Sequence, residues 1–128
     1  MRHEVTEADT AVALGSGDVP VLATPRLIAW LEAATVRAAA PLLSAGRTSV
    51  GTAVRVDHLR ATPVGGHVEV SAEPPDADGR RLTFRVRAVD GAGRLVAAGE
   101  IDRAVVDRQR FIDASAAHPG EADTADTS

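Results

Sequence analysis

The run Thr24-Pro25-Arg26-Leu27-Ile28-Ala29-Trp30-Leu31-Glu32-Ala33-Ala34-Thr35-Val36-Arg37-Ala38-Ala39-Ala40-Pro41-Leu42-Leu43 decides the architecture. Threonine followed by proline reads as a helix N-cap and a first helical position. No glycine interrupts the run, and Arg26, Glu32 and Arg37 are its only charges. Pro41 is expected to end or bend the last turn, because it lacks a backbone N–H and crowds the preceding turn. Ser44-Ala45-Gly46 closes it. A helix this apolar around its circumference is expected to be buried on most sides.

Downstream the period changes from helical to twofold. Residues 48–60 alternate, so that Val50, Thr52, Val54, Val56 and His58 are expected to share one strand face. Gly65-Gly66 reads as a hairpin turn, and 67–74 as a second strand. Pro75-Asp76-Ala77-Asp78-Gly79 reads as a turn. Leu82, Phe84, Val86 and Ala88 give the inner face of a third strand. Asp90-Gly91-Ala92-Gly93 turns the chain into a fourth, over 94–106. Upstream, residues 3–6 suit a short strand, and Thr6 with Asp9 resembles a capping box for a helical turn reaching Leu14. Gly15 to Pro20 is turn chemistry. One helix followed by four antiparallel strands is an α+β order. The simplest way to bury the helix is a curved antiparallel sheet wrapped around it, the hotdog fold.

Composition narrows the function. The 128 residues fit one domain, expected over 1–112. From Asp113 onward the chain is mostly Ala, Ser, Thr, Asp, Gly and Pro, and is expected to be a disordered acidic tail. That tail holds Asp113, Glu121, Asp123 and Asp126 without an arginine, so residues 1–112 balance 14 acids against 14 arginines. A neutral body argues against a nucleic-acid partner. No long uncharged apolar run suggests a membrane span, and no signal segment opens the chain, so a cytoplasmic location is expected. Cysteine and lysine are both absent, which removes thiolate and Schiff-base chemistry. Trp30, Phe84 and Phe111 are the only aromatics. A small core of aliphatic residues gains from oligomerisation, so a homodimer or higher homo-oligomer is expected.

Three residues carry candidate chemistry, each with a structural alternative. Glu32 lies ~120° from Arg26 on the helical wheel, towards the apolar side. A carboxylate there needs a partner or a solvated cleft. It is either an ion-pair partner of a strand arginine, such as Arg55 or Arg103, or a catalytic group. Thr24 is either an N-cap alone or a hydroxyl placed beside the free N–H groups of a helix start, where a developing oxyanion is stabilised. His58 ends an inward-facing strand row, as a hydrogen-bond partner or as a base. His3, His67 and His118 lie near a terminus, in a turn and in the tail, and are set aside. No cluster has metal-ligand spacing, so no metal and no cofactor is expected. Ser49 and Ser71 lack the surroundings of an activated nucleophile.

The segments Ala23-Thr24-Pro25 to Leu31-Glu32, Ser49-Val50-Gly51-Thr52-Ala53-Val54, Asp57-His58 and Ala61-Thr62-Pro63 together resemble the fluoroacetyl-CoA thioesterase family of hotdog proteins. Gly79-Arg80-Arg81-Leu82 and Arg103-Ala104-Val105 extend the likeness over roughly residues 20–111. The resemblance implies that Thr24, Glu32 and His58 are catalytic, and that Gly51 and Arg103 lie near the substrate. It also marks a departure. The family's fluoroacetate-handling member carries an aromatic in a lid before the catalytic threonine, whereas Ala11 to Ala23 here holds none.

The expected activity is therefore hydrolysis of a small or medium acyl-CoA, with coenzyme A entering only as part of the substrate. Thr24 and Glu32 stand ~12 Å apart along one helix, so a site shared across a dimer is expected. The rivals are a non-catalytic acyl-CoA or acyl-carrier binding module and a hydratase or dehydratase, since a fold does not settle a reaction.

Overall fold

The computed structural model describes residues 1–117. Six antiparallel strands form one sheet: β1 (Arg2–Glu4), β2 (Arg47–His58), β3 (His67–Ala72), β4 (Asp76–Asp78), β5 (Arg81–Asp90) and β6 (Leu95–Asp107). Their spatial order is β1-β3-β5-β6-β2, with β4 paired to β5. The short helix α1 (Ala11–Leu14) and the long helix α2 (Thr24–Ala39) precede β2, and α3 (Arg108–Ala117) follows β6. The sheet curls around α2 in the expected α+β hotdog arrangement.

The helix packs through one stripe. Leu27, Leu31, Ala34, Thr35 and Ala39 are its buried residues, at helical spacings of three and four. They meet Val68 and Val70 of β3, Leu82, Phe84, Val86 and Ala88 of β5, and Ile101 of β6. Burying each large side chain of this set contributes ~1.5–3 kcal/mol. Pro41 acts as expected: α2 stops at Ala39 and a 3-10 turn covers Ala40–Leu42. Burial on most sides is not found. Val36 is 49% and Leu42 58% exposed, because one sheet covers only one flank of a helix.

Four further expectations are corrected. The first is the face of β2. A bulge between Gly51 and Ala53 inserts one residue and reverses the alternation. Ser49 and Gly51 therefore join Val54, Val56 and His58 on the inner face, in place of Val50 and Thr52. The second is Gly65-Gly66, which is no hairpin turn. β2 pairs only with β6, at the far edge from β3, so residues 59–66 cross to the other side of the sheet. Gly65 and Gly66 bond there to Val5, with N···O distances of 2.9 and 2.8 Å. The third is the stretch 75–79, which is mostly strand: Asp76–Asp78 pair with Arg81–Thr83, leaving Gly79, at φ +60°, and Arg80 to make the turn. Lastly, the tail expected from Asp113 begins as helix. Asp107 Oδ1 caps α3 by accepting from the Arg110 N–H at 2.9 Å, and Gln109 donates to Asp113 at 2.8 Å. Residues 118–128 lie outside the described residues. Among the described residues no helix is long and apolar enough to cross a membrane.

Candidate active site

The start of α2 is clamped from two sides. The Ala23 N–H donates to the Asp9 carbonyl at 2.9 Å, and the Leu22 N–H to the Thr62 carbonyl at 2.8 Å. Ala23, extended at φ −71° and ψ 139°, is the N-cap, and no side chain caps the helix. The reading of Thr24 as N-cap is thereby corrected. Thr24 is the first helical residue, and its Oγ1 lies 2.7 Å from His58 Nδ1 at the end of β2. The tertiary contact has taken the hydroxyl that a local cap would have used.

His58 is half-buried. Burial holds its imidazole below the ordinary value of 6.5, with the backbone of Arg60 opposing in part. At neutral pH the ring is therefore uncharged and has one bare nitrogen. In the tautomer protonated at Nε2, the Thr24 hydroxyl donates to Nδ1, the arrangement of a nucleophile facing a base. Nε2 itself is buried without a hydrogen-bond partner. Beside this pair lies a cavity of about 280 Å³, lined by Ala11, Ser16, Leu22 and Arg60 among others.

A second cluster forms two turns further along α2. The Glu32 carboxylate is 40% exposed, and its Oε2 lies 3.9 Å from Arg103 Nη1, too long for a hydrogen bond. Arg103 is held by others. Its Nε donates to Ser49 Oγ at 2.8 Å, Nη2 to the Ser49 carbonyl at 3.0 Å, and Nη1 reaches Thr35 Oγ1 at 3.5 Å. Burial lowers the pKa of its guanidinium, against the attraction of Glu32, and it remains a cation. Gly51 completes the cluster by omission: a Cβ there would stand 2.8 Å from Glu32 Oε2 and 3.6 Å from Arg103 Nη1. Arg55, the other partner considered for Glu32, points to the opposite sheet face. It clasps Asp102 at 3.0 and 2.9 Å, where Thr83 also donates at 2.9 Å.

The five sequence-derived site residues thus fall into two groups, Thr24 with His58 and Glu32 with Gly51 and Arg103. No hydrogen bond or ion pair among the described residues joins the groups. Thr24 and Glu32 are eight positions apart on the helix, roughly 12 Å of rise. Ser49 and Thr35, which fix the arginine, were not found from sequence. The glycine at position 51, within an alternating run, was the available signal, since such a glycine often marks a bulge or a close approach.

The family model described as FlK, fluoroacetyl-CoA-specific thioesterase, matches residues 5–109. A fluoroacetyl-CoA thioesterase of Streptantibioticus cattleyicolor is 44% identical over 91 residues, covering 71% of this chain. That match spans 65% of the relative's own length. Among solved structures, a point mutant of the fluoroacetyl-CoA-specific thioesterase in complex with fluoroacetate and CoA superimposes with a TM-score of 0.83 at 35% identity, covering 94% of this chain and 97% of that one. A Thermus thermophilus hypothetical protein, described as a thioesterase superfamily member, gives a TM-score of 0.86 at 26% identity over 98% of this chain and 91% of its own.

Proposed function

The chain belongs to the fluoroacetyl-CoA-specific thioesterase family, and on that premise we propose that it hydrolyses a small acyl-CoA thioester at a site shared by two copies of the chain. The 2.7 Å contact between Thr24 Oγ1 and His58 Nδ1 carries this reading. His58 Nδ1 takes the hydroxyl proton as Oγ1 bonds to the thioester carbonyl carbon. The C–S bond breaks, and the thiolate leaves with the proton from His58. Water then attacks the ester carbonyl carbon as the Glu32 carboxylate of the second copy takes its proton; the bond to Thr24 Oγ1 breaks, Oγ1 regains that proton from Glu32, and the carboxylic acid leaves. Free N–H groups in the first turn of α2 stabilise the oxyanion in both steps. No metal or cofactor takes part, and coenzyme A is only the leaving group. A cavity of about 280 Å³ suits a short aliphatic acyl group. The absence of an aromatic between Ala11 and Ala23 favours a broader choice of acyl group than fluoroacetyl alone. A coenzyme A thioester as substrate is in keeping with a cytoplasmic location.

The edge of the sheet supports the second copy. β2 is an end strand with one row of backbone groups free to pair. Val54 at 41%, Val36 at 49% and Leu42 at 58% exposure leave apolar surface next to it. Two β2 strands paired antiparallel about a twofold axis would continue the sheet. The His58 end of one strand would then lie beside the Gly51 and Glu32 region of the other. Residues 1–112 carry all of these groups.

Two measurements test the proposal. Thiol release from a panel of acyl-CoAs should show turnover, with short chains favoured. Mixing the inactive variants Glu32→Gln and His58→Ala should restore about a quarter of wild-type activity. Half of the dimers would be mixed, each with one intact composite site. A mixture that stays inactive under conditions of subunit exchange places the site within one protomer.

A further inference from the structure

At neutral pH, where His58 is uncharged, the cavity beside Thr24 and His58 has one charged lining residue, Arg60. The rest of its wall is alanine, valine and leucine, with the Ser16 hydroxyl as the remaining polar group. The fold roots this arginine beside the imidazole. β2 ends at His58, and the next two N–H groups, of Leu59 and Arg60, both donate to the Val96 carbonyl of β6, at 2.7 and 3.3 Å. Arg60 therefore leaves the sheet two positions past His58, at most ~7 Å along the chain. Ser16 comes from the turn after α1, where its N–H donates to the Ala11 carbonyl at 3.0 Å.

Among the described residues, no carboxylate lies within ion-pair distance of Arg60. By contrast Arg26, Arg55 and Arg94 each engage an aspartate at 2.9–3.1 Å, and Arg103 is fixed by Ser49. Arg60 alone is an unpaired cation in the wall that also holds Thr24 and His58. A guanidinium has five donors and no acceptor, and its planar fork matches a carboxylate through two parallel hydrogen bonds. A purely hydrocarbon acyl group would offer these donors nothing. A carboxylate one or two carbons beyond the thioester carbonyl lies roughly 2.5–4 Å from it. That is a short step from the Thr24 hydroxyl towards the Arg60 side of the cavity, whose volume of about 280 Å³ admits such a group.

We propose that Arg60 selects short acyl groups that end in a carboxylate, of the malonyl or succinyl kind, with the Ser16 hydroxyl as a second donor to that carboxylate. The assignment rests on the thioesterase reading above and narrows it at the acyl end of the substrate. The product released would then be a short dicarboxylic acid.

The test compares malonyl-CoA with isovaleryl-CoA, two thioesters of similar shape in which a carboxylate stands in place of an isopropyl group. The wild type should prefer malonyl-CoA in kcat/KM. That ratio should fall roughly tenfold or more in Arg60→Gln, as expected for a lost charge-assisted contact. It should be partly kept in Arg60→Lys, which retains the charge without the fork, and should invert in Arg60→Glu. Ser16→Ala should lower it by a smaller factor. Because each ratio is taken within one variant, losses of folding or of pairing between copies cancel. A wild type without a preference for malonyl-CoA overturns the assignment. So does a ratio that stays constant across the Arg60 variants even where both rates fall, since Arg60 would then serve the coenzyme or the Glu32 of the second copy. If the wild type hydrolyses neither thioester, the activity proposed above fails, and both compounds stay intact for calorimetry. Tighter binding of malonyl-CoA that is lost in Arg60→Gln would still support the carboxylate seat, whereas equal binding of the two, or none, overturns it.

Discussion

Strands β5 and β2 both flank β6, yet they are built on different rules. In β5, Leu82, Phe84, Val86 and Ala88 point inward without interruption, at 5%, 0%, 4% and 0% exposure. Neighbours on both sides pin its register. In β2, one edge is open and a bulge at Gly51–Ala53 reverses the alternation halfway along. The strand that keeps the simple rule makes core, and the strand that breaks it delivers Ser49, Gly51 and His58 to the helix. Bulges favour sheet edges because only one ladder must absorb the extra residue. In this chain that tolerance aims side chains at Glu32 and Thr24.

The largest effect that separates the two strands is on stability. Phe84→Ala should cost ~3–5 kcal/mol, since a large, fully buried side chain leaves a cavity in a packed core. Turnover per folded molecule should survive. Thermal melting and active-site-normalised rates check both halves, and a small stability loss would mean that β5 is not the keystone of the core.

On the other side of the comparison, Glu32→Gln and His58→Ala should each lower kcat by ~10²-fold or more. Their melting temperatures should stay close to wild type, because Glu32 is 40% exposed and His58 is half-buried at a strand end. If kcat is retained in both, the two groups only support the fold.

Much of this division is legible in the sequence, and the remainder is not for identifiable reasons. The apolar stripe of α2 and the inner row of β5 follow from spacing, because both elements are regular and pack against one another. The bulge has no such signature. In Ser49-Val50-Gly51-Thr52-Ala53-Val54 every residue suits a strand, and the inserted one cannot be told from its neighbours. A Gly-Gly pair marks a turn but not whether the next strand lies beside the last or across the sheet, so the crossover at 59–66 has the local signature of a hairpin. Thr24-Pro25 looks like a cap because capping is local. The contact that displaces it comes from His58, 34 residues later. What brought the site residues into view was the family resemblance, not their spacing.

Gly51→Ala isolates the bulge from the chemistry. The added methyl would stand 2.8 Å from Glu32 Oε2, and the carboxylate, at the end of a flexible side chain, would swing away. Turnover should fall roughly ten- to a hundredfold, as for other small misplacements of a reacting group. Stability should change by less than ~1 kcal/mol. A kinetically silent Gly51→Ala would separate the glycine from the placement of Glu32.

A smaller effect is expected with pH. His58 must be neutral to accept a proton, and burial holds its pKa below 6.5 in the folded state. kcat/KM should therefore rise with pH through that lowered value and level off before 7, and His58→Ala should abolish the rise. Between the folded and unfolded values the unfolded chain binds more protons at this ring. Its contribution to stability accordingly increases with pH across that window and is flat above it. An activity profile still climbing well above pH 7 would assign the titration to another group.

The smallest expected effect is that of Thr24→Ser, and set beside Thr24→Ala it is also the most discriminating. Were Thr24 an N-cap, Thr24→Ala would cost ~1 kcal/mol of stability and leave the rate alone. The structure reverses both expectations. Ala23 caps the helix without a side-chain bond, so little capping energy can be lost. The hydroxyl faces the imidazole at 2.7 Å, so the rate should suffer. Thr24→Ser keeps the oxygen and removes one methyl group at an exposed helix start. It should hold kcat within a few-fold, because the donor to His58 Nδ1 survives with slightly more rotational freedom. Rates and melting curves on the serine and alanine variants together decide the matter. Activity kept by serine and lost by alanine, at nearly constant stability, makes the hydroxyl a reacting group. Stability lost by alanine with activity kept would return Thr24 to the local role that Thr24-Pro25 first suggested.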